Sequence, residues 1–219
     1  MIELYAQCYY PSYTGYQSTD YPPNKFIKCL KGAAVNGYAH VVDIDGIARE
    51  ISQTHRATAF SIFGKWAAQK IASLGLHNLT LVPIPSSSHV DTRADFTALK
   101  LCRAINQAGN DAFEILPCLT QREAVQGSSK GGSRKFVDIR DNLVCHQGLH
   151  GKTVVMVDDV VTSGNHMKAC ATVLRNNGAA VGHGMAAART IWERPDNMWA
   201  VPMENIDWDA TGCAFDFDL

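Results

Sequence analysis

Several common chemistries are missing from this sequence. It holds no G-x-x-x-x-G-K-[ST] loop, which excludes a Walker-type phosphate site. Gly182-His183-Gly184 follows a strand start and opens no helix, so there is no dinucleotide fingerprint either. The seven cysteines are odd in number and never form a C-x-x-C pair, which argues against a disulfide frame and a zinc finger. Cys145, His146 and His150 offer three candidate ligands on a presumed turn, but no second pair matches them. No apolar run approaches the roughly 20 residues of a membrane helix. The N-terminus, MIELYAQCYYPSY, lacks a basic patch ahead of an apolar stretch, so no signal peptide is expected. Charge is nearly balanced at a net −1, which gives no pull toward nucleic acid or an anionic membrane. Scattered thiols fit a reducing compartment, and the cytoplasm is the simplest expectation.

What is present suits a globular domain with a sizeable core: 219 residues, 46% hydrophobic and 19% charged. The first 40 or so residues are rich in tyrosine, proline and turn formers and read as an irregular leader. Its tyrosines would either cover a core edge or line a ligand pocket. Beyond it the period alternates. Ala57 to Leu74 is helical, with Phe60, Phe63, Ala67, Ile71 and Leu74 on one spacing, and Leu79 to Pro85 is a short strand ending in three serines. Arg93 to Gly109 is helical, Phe113 to Leu119 a strand, Lys152 to Val157 a strand, His166 to Gly178 a helix and Ala179 to Thr190 a strand. That alternation implies an α/β fold with a parallel sheet, helices on both faces and ligands at the carboxyl ends of strands.

Thr120 to Phe136 breaks the pattern: polar, glycine-rich and too long for a tight turn, it is a candidate functional loop. The sharper signal is GKTVVMVDDVVTSGNH. Four apolar residues, Val154 to Val157, run into Asp158 and Asp159, and two adjacent carboxylates at the end of a buried strand cost free energy unless something neutralises them. Small and hydroxylated residues follow, between a strand and a helix N-terminus. Such a segment cradles phosphate through backbone N–H groups and hydroxyls. Beside it, the carboxylates would accept hydrogen bonds from a pair of sugar hydroxyls, or hold magnesium directly or through water. The residues therefore point to a ribose-phosphate ligand that neutralises the pair.

VVMVDDVVTSG resembles the phosphoribosyl-pyrophosphate signature of the type I phosphoribosyltransferases. LVPIPSSS resembles that family's pyrophosphate-binding strand and loop. RADF at Arg93 to Phe96 and QREAVQGSSKGGSRKF, with Arg122, Gln126 and Arg134, resemble segments of its competence-protein F (ComF-like) branch. The resemblance spans roughly residues 80 to 190. It implies a parallel-sheet core at 56–195 and a small hood built from 1–55 and 196–219. It also implies magnesium-dependent transfer of a phosphoribosyl group from phosphoribosyl pyrophosphate to a nitrogen acceptor. Asp158 and Asp159 would bind the ribose hydroxyls and help place magnesium. Val160, Val161, Thr162, Ser163, Gly164, Asn165 and His166 would wrap the 5-phosphate, and Ser86, Ser87 and Ser88 the pyrophosphate. Arg122 and Arg134 would belong to a cationic lid that shields the reacting sugar from water; otherwise the loop is ordinary solvated surface. His166 stands where the signature usually carries Thr or Ser. His89 is expected at the surface, and Arg93 either at pyrophosphate or paired with Asp95 or a helix end. Trp192, Trp199 and Trp208 would stack on an acceptor or pack against the core. Homodimers are common in that family. The alternative is a ligand-sensing or regulatory protein on the same fold.

Overall fold

In the computed structural model, which describes residues 1–124 and 135–206, the apolar run at Val154 lies inside a six-stranded sheet. The spatial order is β10 (Glu204–Ile206), β1 (Ile2–Pro11), β9 (Ala180–Ile191), β8 (Thr153–Val161), β4 (Leu79–Pro83) and β5 (Glu114–Ile115). Neighbours run parallel except β10, which is antiparallel to β1. Strand β8 shows why its sequence is continuously apolar. Val154 and Met156 face one core, Val155 and Val157 face the other, and all four are fully buried. A strand covered on both sides has no polar face to alternate with.

The first layer holds α1 (Tyr21–Leu30), α2 (Arg56–Ser73) and α3 (Thr97–Ala108), represented in one core by Phe26, Phe63 and Leu101. The hairpin of β2 (Tyr38–Val42) and β3 (Ala48–Ser52) joins that layer through Val41 and Ile51. The second layer is α5 (Asn165–Asn176), with α4 (Phe136–Asn142) packed on it. A two-stranded arm, β6 (Leu119–Gln121) against β7 (Leu143–Cys145), completes that side. The expected α/β fold with helices on both faces is thus observed.

Three expectations change. The irregular leader is instead a ten-residue strand followed by a helix. Ile2, Leu4 and Ala6 alternate into the core, a two-residue period that the neighbouring tyrosines obscured. Those tyrosines are satisfied locally: Tyr13 donates to Asp20 Oδ1 at 2.9 Å and Tyr16 to the Pro11 carbonyl at 2.8 Å. Second, Phe113 to Leu119 is not one strand. Pro117 lacks an N–H for a ladder, and the chain leaves the main sheet after Ile115 to enter the arm at Leu119. Third, the helix expected from Arg93 begins at Thr97.

Asp20 ties the N-terminal segment to the chain beyond β9. It is fully buried, accepts from Arg194 Nη2 at 2.7 Å and from the Gln17 N–H at 2.7 Å, and the Arg194 guanidinium holds its carboxyl below the usual range. Buried charge is tolerated here because it is paired and hydrogen-bonded.

Gly64 sets the distance between α2 and α3. A Cβ at Gly64 would overlap the Ala104 carbonyl, which is backbone and cannot swing away. Gly64→Ala should therefore destabilise the fold by about 1–3 kcal/mol, overpacking outweighing the gain in helix propensity. A urea midpoint that falls with an unchanged slope would be the expected result; an unchanged midpoint would show that the helices separate at no cost.

Candidate functional site

The carboxyl ends of β4 and β8 open onto a cleft of about 320 Å³. Asp158, Asp159 and Val160 line it from β8, Ile84 to Ser87 from the loop after β4, Phe96 to Ala98 from the start of α3, and His166 from α5. The strand runs on through the acidic pair to Val161, so both carboxylates project from regular backbone.

Alternation sends the two side chains different ways. Asp158 falls on the α5 side, where its charge reaches the buried Cys170. Asp159 falls on the α1 side, with Lys31 Nζ 3.5 Å from its Oδ1. The two are not equally compensated. Asp158 accepts the Asp159 N–H at 2.7 Å, yet burial, together with the Asp159 charge, holds its carboxyl well above the usual range.

The segment from Thr162 to Asn165 has the form of an anion cradle. Arg189, on β9, donates to the carbonyls of Val161, at 3.3 Å, and Thr162. In a trans peptide the N–H points opposite to the C=O, so fixing these carbonyls turns the N–H groups of Thr162 and Ser163 the other way. Glu204 in turn holds Arg189 Nε at 2.9 Å. Thr162 Oγ1 also meets Thr190 Oγ1 at 3.0 Å. Gly164 then takes φ +79°, a left-handed conformation that suits glycine, and α5 begins there with the positive end of its dipole, the Asn165 N–H donating to the Ser163 hydroxyl at 3.4 Å. Arg189 is a residue that sequence reasoning did not single out. It lies 25 positions from Gly164, and only the pairing of β9 with β8 brings it near.

Other expected residues distribute as follows. Ser86 and Ser87 line the cleft; Ser88 is exposed, with its hydroxyl 3.4 Å from that of Ser86. Val161 is buried in the α5-side core. His166 lies 3.5 Å from the Gln121 amide nitrogen, and burial pushes its imidazole down to about 4, so it stands neutral. A neutral imidazole still has one N–H to give. Arg122 is exposed and bonds the Asp141 carbonyl at 3.0 Å through Nε, at the foot of the loop and not in the cleft. Arg134, Gln126 and Trp208 lie outside the described residues. Arg93 is exposed, 4.0 Å from Asp91, while Asp95 pairs with Arg103 at 2.8 Å. Trp199 packs edge-on against Phe26, and Trp192 is exposed.

His89 is a correction. Expected at the surface, it is only 4% exposed, packed against Phe96 with ring centroids 4.0 Å apart and the planes tilted by 40°. Its N–H bonds the Ser86 carbonyl at 3.0 Å, and its own carbonyl accepts from Gln121 at 2.8 Å. It therefore braces the serine loop against β6. The three serines ahead of it hid this in the sequence.

Among the described residues no three carboxylate, imidazole or thiol groups converge on one point. Two carboxylates on one cleft wall nevertheless fit magnesium, which commonly takes one or two protein carboxylates and completes its shell with substrate oxygens and water.

The asymmetry of the pair gives a prediction. Asp158→Asn keeps the shape and the acceptor for the Asp159 N–H while removing the group whose ionisation the empty site opposes. Without ligand at neutral pH the variant should be at least as stable as the parent, by up to about 1 kcal/mol. Calorimetric melting checks this; a clear loss of stability would make the carboxylate a structural group.

A family described as "Phosphoribosyl transferase domain" matches residues 50–219. No curated protein matches the sequence significantly. Among solved structures, the chain is similar to an adenine phosphoribosyltransferase at 12% identity, covering 75% of this chain and 89% of that one, with a TM-score of 0.43. It is similar to the Mycobacterium tuberculosis H37Rv orotate phosphoribosyltransferase at 14% identity, 77% and 96% coverage and a TM-score of 0.36. With the allosteric regulatory enzyme of purine biosynthesis it shares 20% identity over 74% of its own length, at a TM-score of 0.44, and spans only 30% of that protein. The family match covers well over half of the chain and takes in both the acidic pair and the cradle, so this protein belongs to the phosphoribosyltransferase domain family.

Proposed function

We propose that the protein binds phosphoribosyl pyrophosphate with magnesium and transfers the phosphoribosyl group to a nitrogen acceptor, releasing pyrophosphate. The observation that carries this reading is the convergence of Asp158, Asp159, Ser86, Ser87 and His166 on one cleft at the carboxyl ends of adjacent parallel strands. The cradle from Thr162 to Asn165 would take the 5-phosphate on backbone N–H groups. The carboxylates would accept hydrogen bonds from the ribose hydroxyls, and the serine loop would donate to the pyrophosphate. In the reaction the bond from the anomeric carbon to the pyrophosphate oxygen breaks, with its electron pair leaving on pyrophosphate. A bond from the acceptor nitrogen to that carbon forms, and the nitrogen gives up its proton to solvent or to pyrophosphate. Magnesium, when bound, would supply positive charge for the departing pyrophosphate. The protein's own part is orientation and fixed dipoles aimed at developing charge.

The hood, in this proposal, is α1 with the β2–β3 hairpin and the chain beyond β9. Assignment to the competence-protein F-like branch rests on the sequence segments, and cytoplasmic location on the free thiols among the described residues. A second reading, a sensor that binds the ligand without turnover, is favoured by Arg122, which bonds Asp141 and does not line the cleft.

Phosphoribosyl pyrophosphate with magnesium should raise the melting temperature, by the equivalent of about 2.7 kcal/mol at a hundredfold excess over Kd. Asp158→Asn combined with Asp159→Asn should abolish most of that shift. A screen of nucleobases, amines and ammonia for pyrophosphate release then separates enzyme from sensor. No shift with the parent protein at millimolar ligand would remove the proposal.

A further inference from the structure

Lys31 is the one lysine or arginine lining the cleft among the described residues. Its backbone is fixed: it caps α1, its N–H bonds the Ile27 carbonyl at 2.9 Å, and Gly32 turns the chain away at φ +70°. Its side chain is much less committed. Nζ lies 3.5 Å from Asp159 Oδ1, and the side chain keeps 44% of its surface exposed. The lysines that hold structure here sit much closer to their partners, Lys65 at 2.7 Å from Asp43 and Lys152 at 2.6 Å from Glu114. A long, half-exposed ion pair contributes little to stability, since screening and side-chain entropy offset the attraction. Lys31 is therefore poised near the acidic pair without being spent on it.

The lining of the cleft also says which part of a ligand Lys31 faces. It shares that space with Ser86, Ser87 and Asp159, whereas Thr162, Ser163 and Gly164 do not line it. We propose that Lys31 is a substrate-binding residue that leaves Asp159 when the ribose takes the carboxylates and pairs instead with the pyrophosphoryl group of the donor. This rests on the functional reading above. In the empty protein the same ammonium offsets part of the carboxylate charge, so one cation would serve the site in both states. It would also make occupancy of the cleft felt by α1, the segment that carries Lys31.

The test is calorimetric titration of the full chain with phosphoribosyl pyrophosphate and magnesium, and separately with ribose 5-phosphate, on the parent, Lys31→Met and Lys31→Arg. Lys31→Met should weaken the pyrophosphorylated ligand about tenfold or more, as expected for one lost charge-assisted contact. Ribose 5-phosphate affinity should change by less than about twofold, and Lys31→Arg should stay within about threefold of the parent for both ligands. Equal losses for the two ligands would make Lys31 a general support of the site and overturn the proposal. So would unchanged binding of both by Lys31→Met. Failure of the parent itself to bind would defeat the functional reading first, and this inference with it. Should Lys31→Met not fold, Lys31→Gln, which keeps a polar tip, carries the same comparison.

Discussion

Strand β8 is apolar on both faces for four residues because helices cover it on both sides, and then it carries two carboxylates side by side. Everything around the cleft bears on how those charges are tolerated. In a layered α/β fold a strand covered on both faces can present polar side chains to solvent only at its ends, and ligands bind at the carboxyl ends. The pair is placed there, and its two members meet different neighbours because alternation turns them to opposite faces. Asp159 meets the ammonium of Lys31; Asp158 meets burial and the thiol of Cys170. The empty site is thus only partly compensated, which is the condition in which a ligand with hydroxyl donors and a metal gains most from binding.

The phosphate cradle is the second half of the same design. Its useful groups are backbone N–H donors, and backbone donors are aimed by fixing the carbonyls behind them. Arg189 does that from β9, and Glu204 on β10 holds Arg189 in turn. The geometry of the cradle therefore depends on the order β10-β1-β9-β8. Strand β1 is what allows β10 to sit there, pairing with β9 on one side and β10 on the other. An N-terminal strand far from the chemistry in sequence thereby helps set the orientation of the anion site.

Much of this was legible in the sequence, where local pattern and local chemistry coincide. The run Val154 to Val157 followed by Asp158, Asp159 and a small hydroxylated turn marked strand, cleft and helix start together. The helix at Arg56–Ser73 followed from its period, and strands β4 and β9 from short apolar runs between turn signals. Failures arose where two signals competed or where the partner was distant. The alternation of Ile2, Leu4 and Ala6 was outweighed by Tyr9, Tyr10 and Pro11 at the end of the same strand and by the tyrosines and prolines that follow it. His89 lay among serines that said surface, although Phe96 and Gln121 enclose it. Lys31 and Arg189 carried no local mark at all, because what distinguishes them is a contact across the fold.

The most direct measurement is a crystal structure of the complex with phosphoribosyl pyrophosphate and manganese in place of magnesium, the metal located by its anomalous scattering. The account predicts ribose hydroxyls within hydrogen-bonding distance of Asp158 and Asp159, the 5-phosphate on the N–H groups of Thr162 to Asn165, and the metal beside the pair. A ligand bound elsewhere, or an acidic pair still facing only Lys31 and water at saturating ligand, would contradict it.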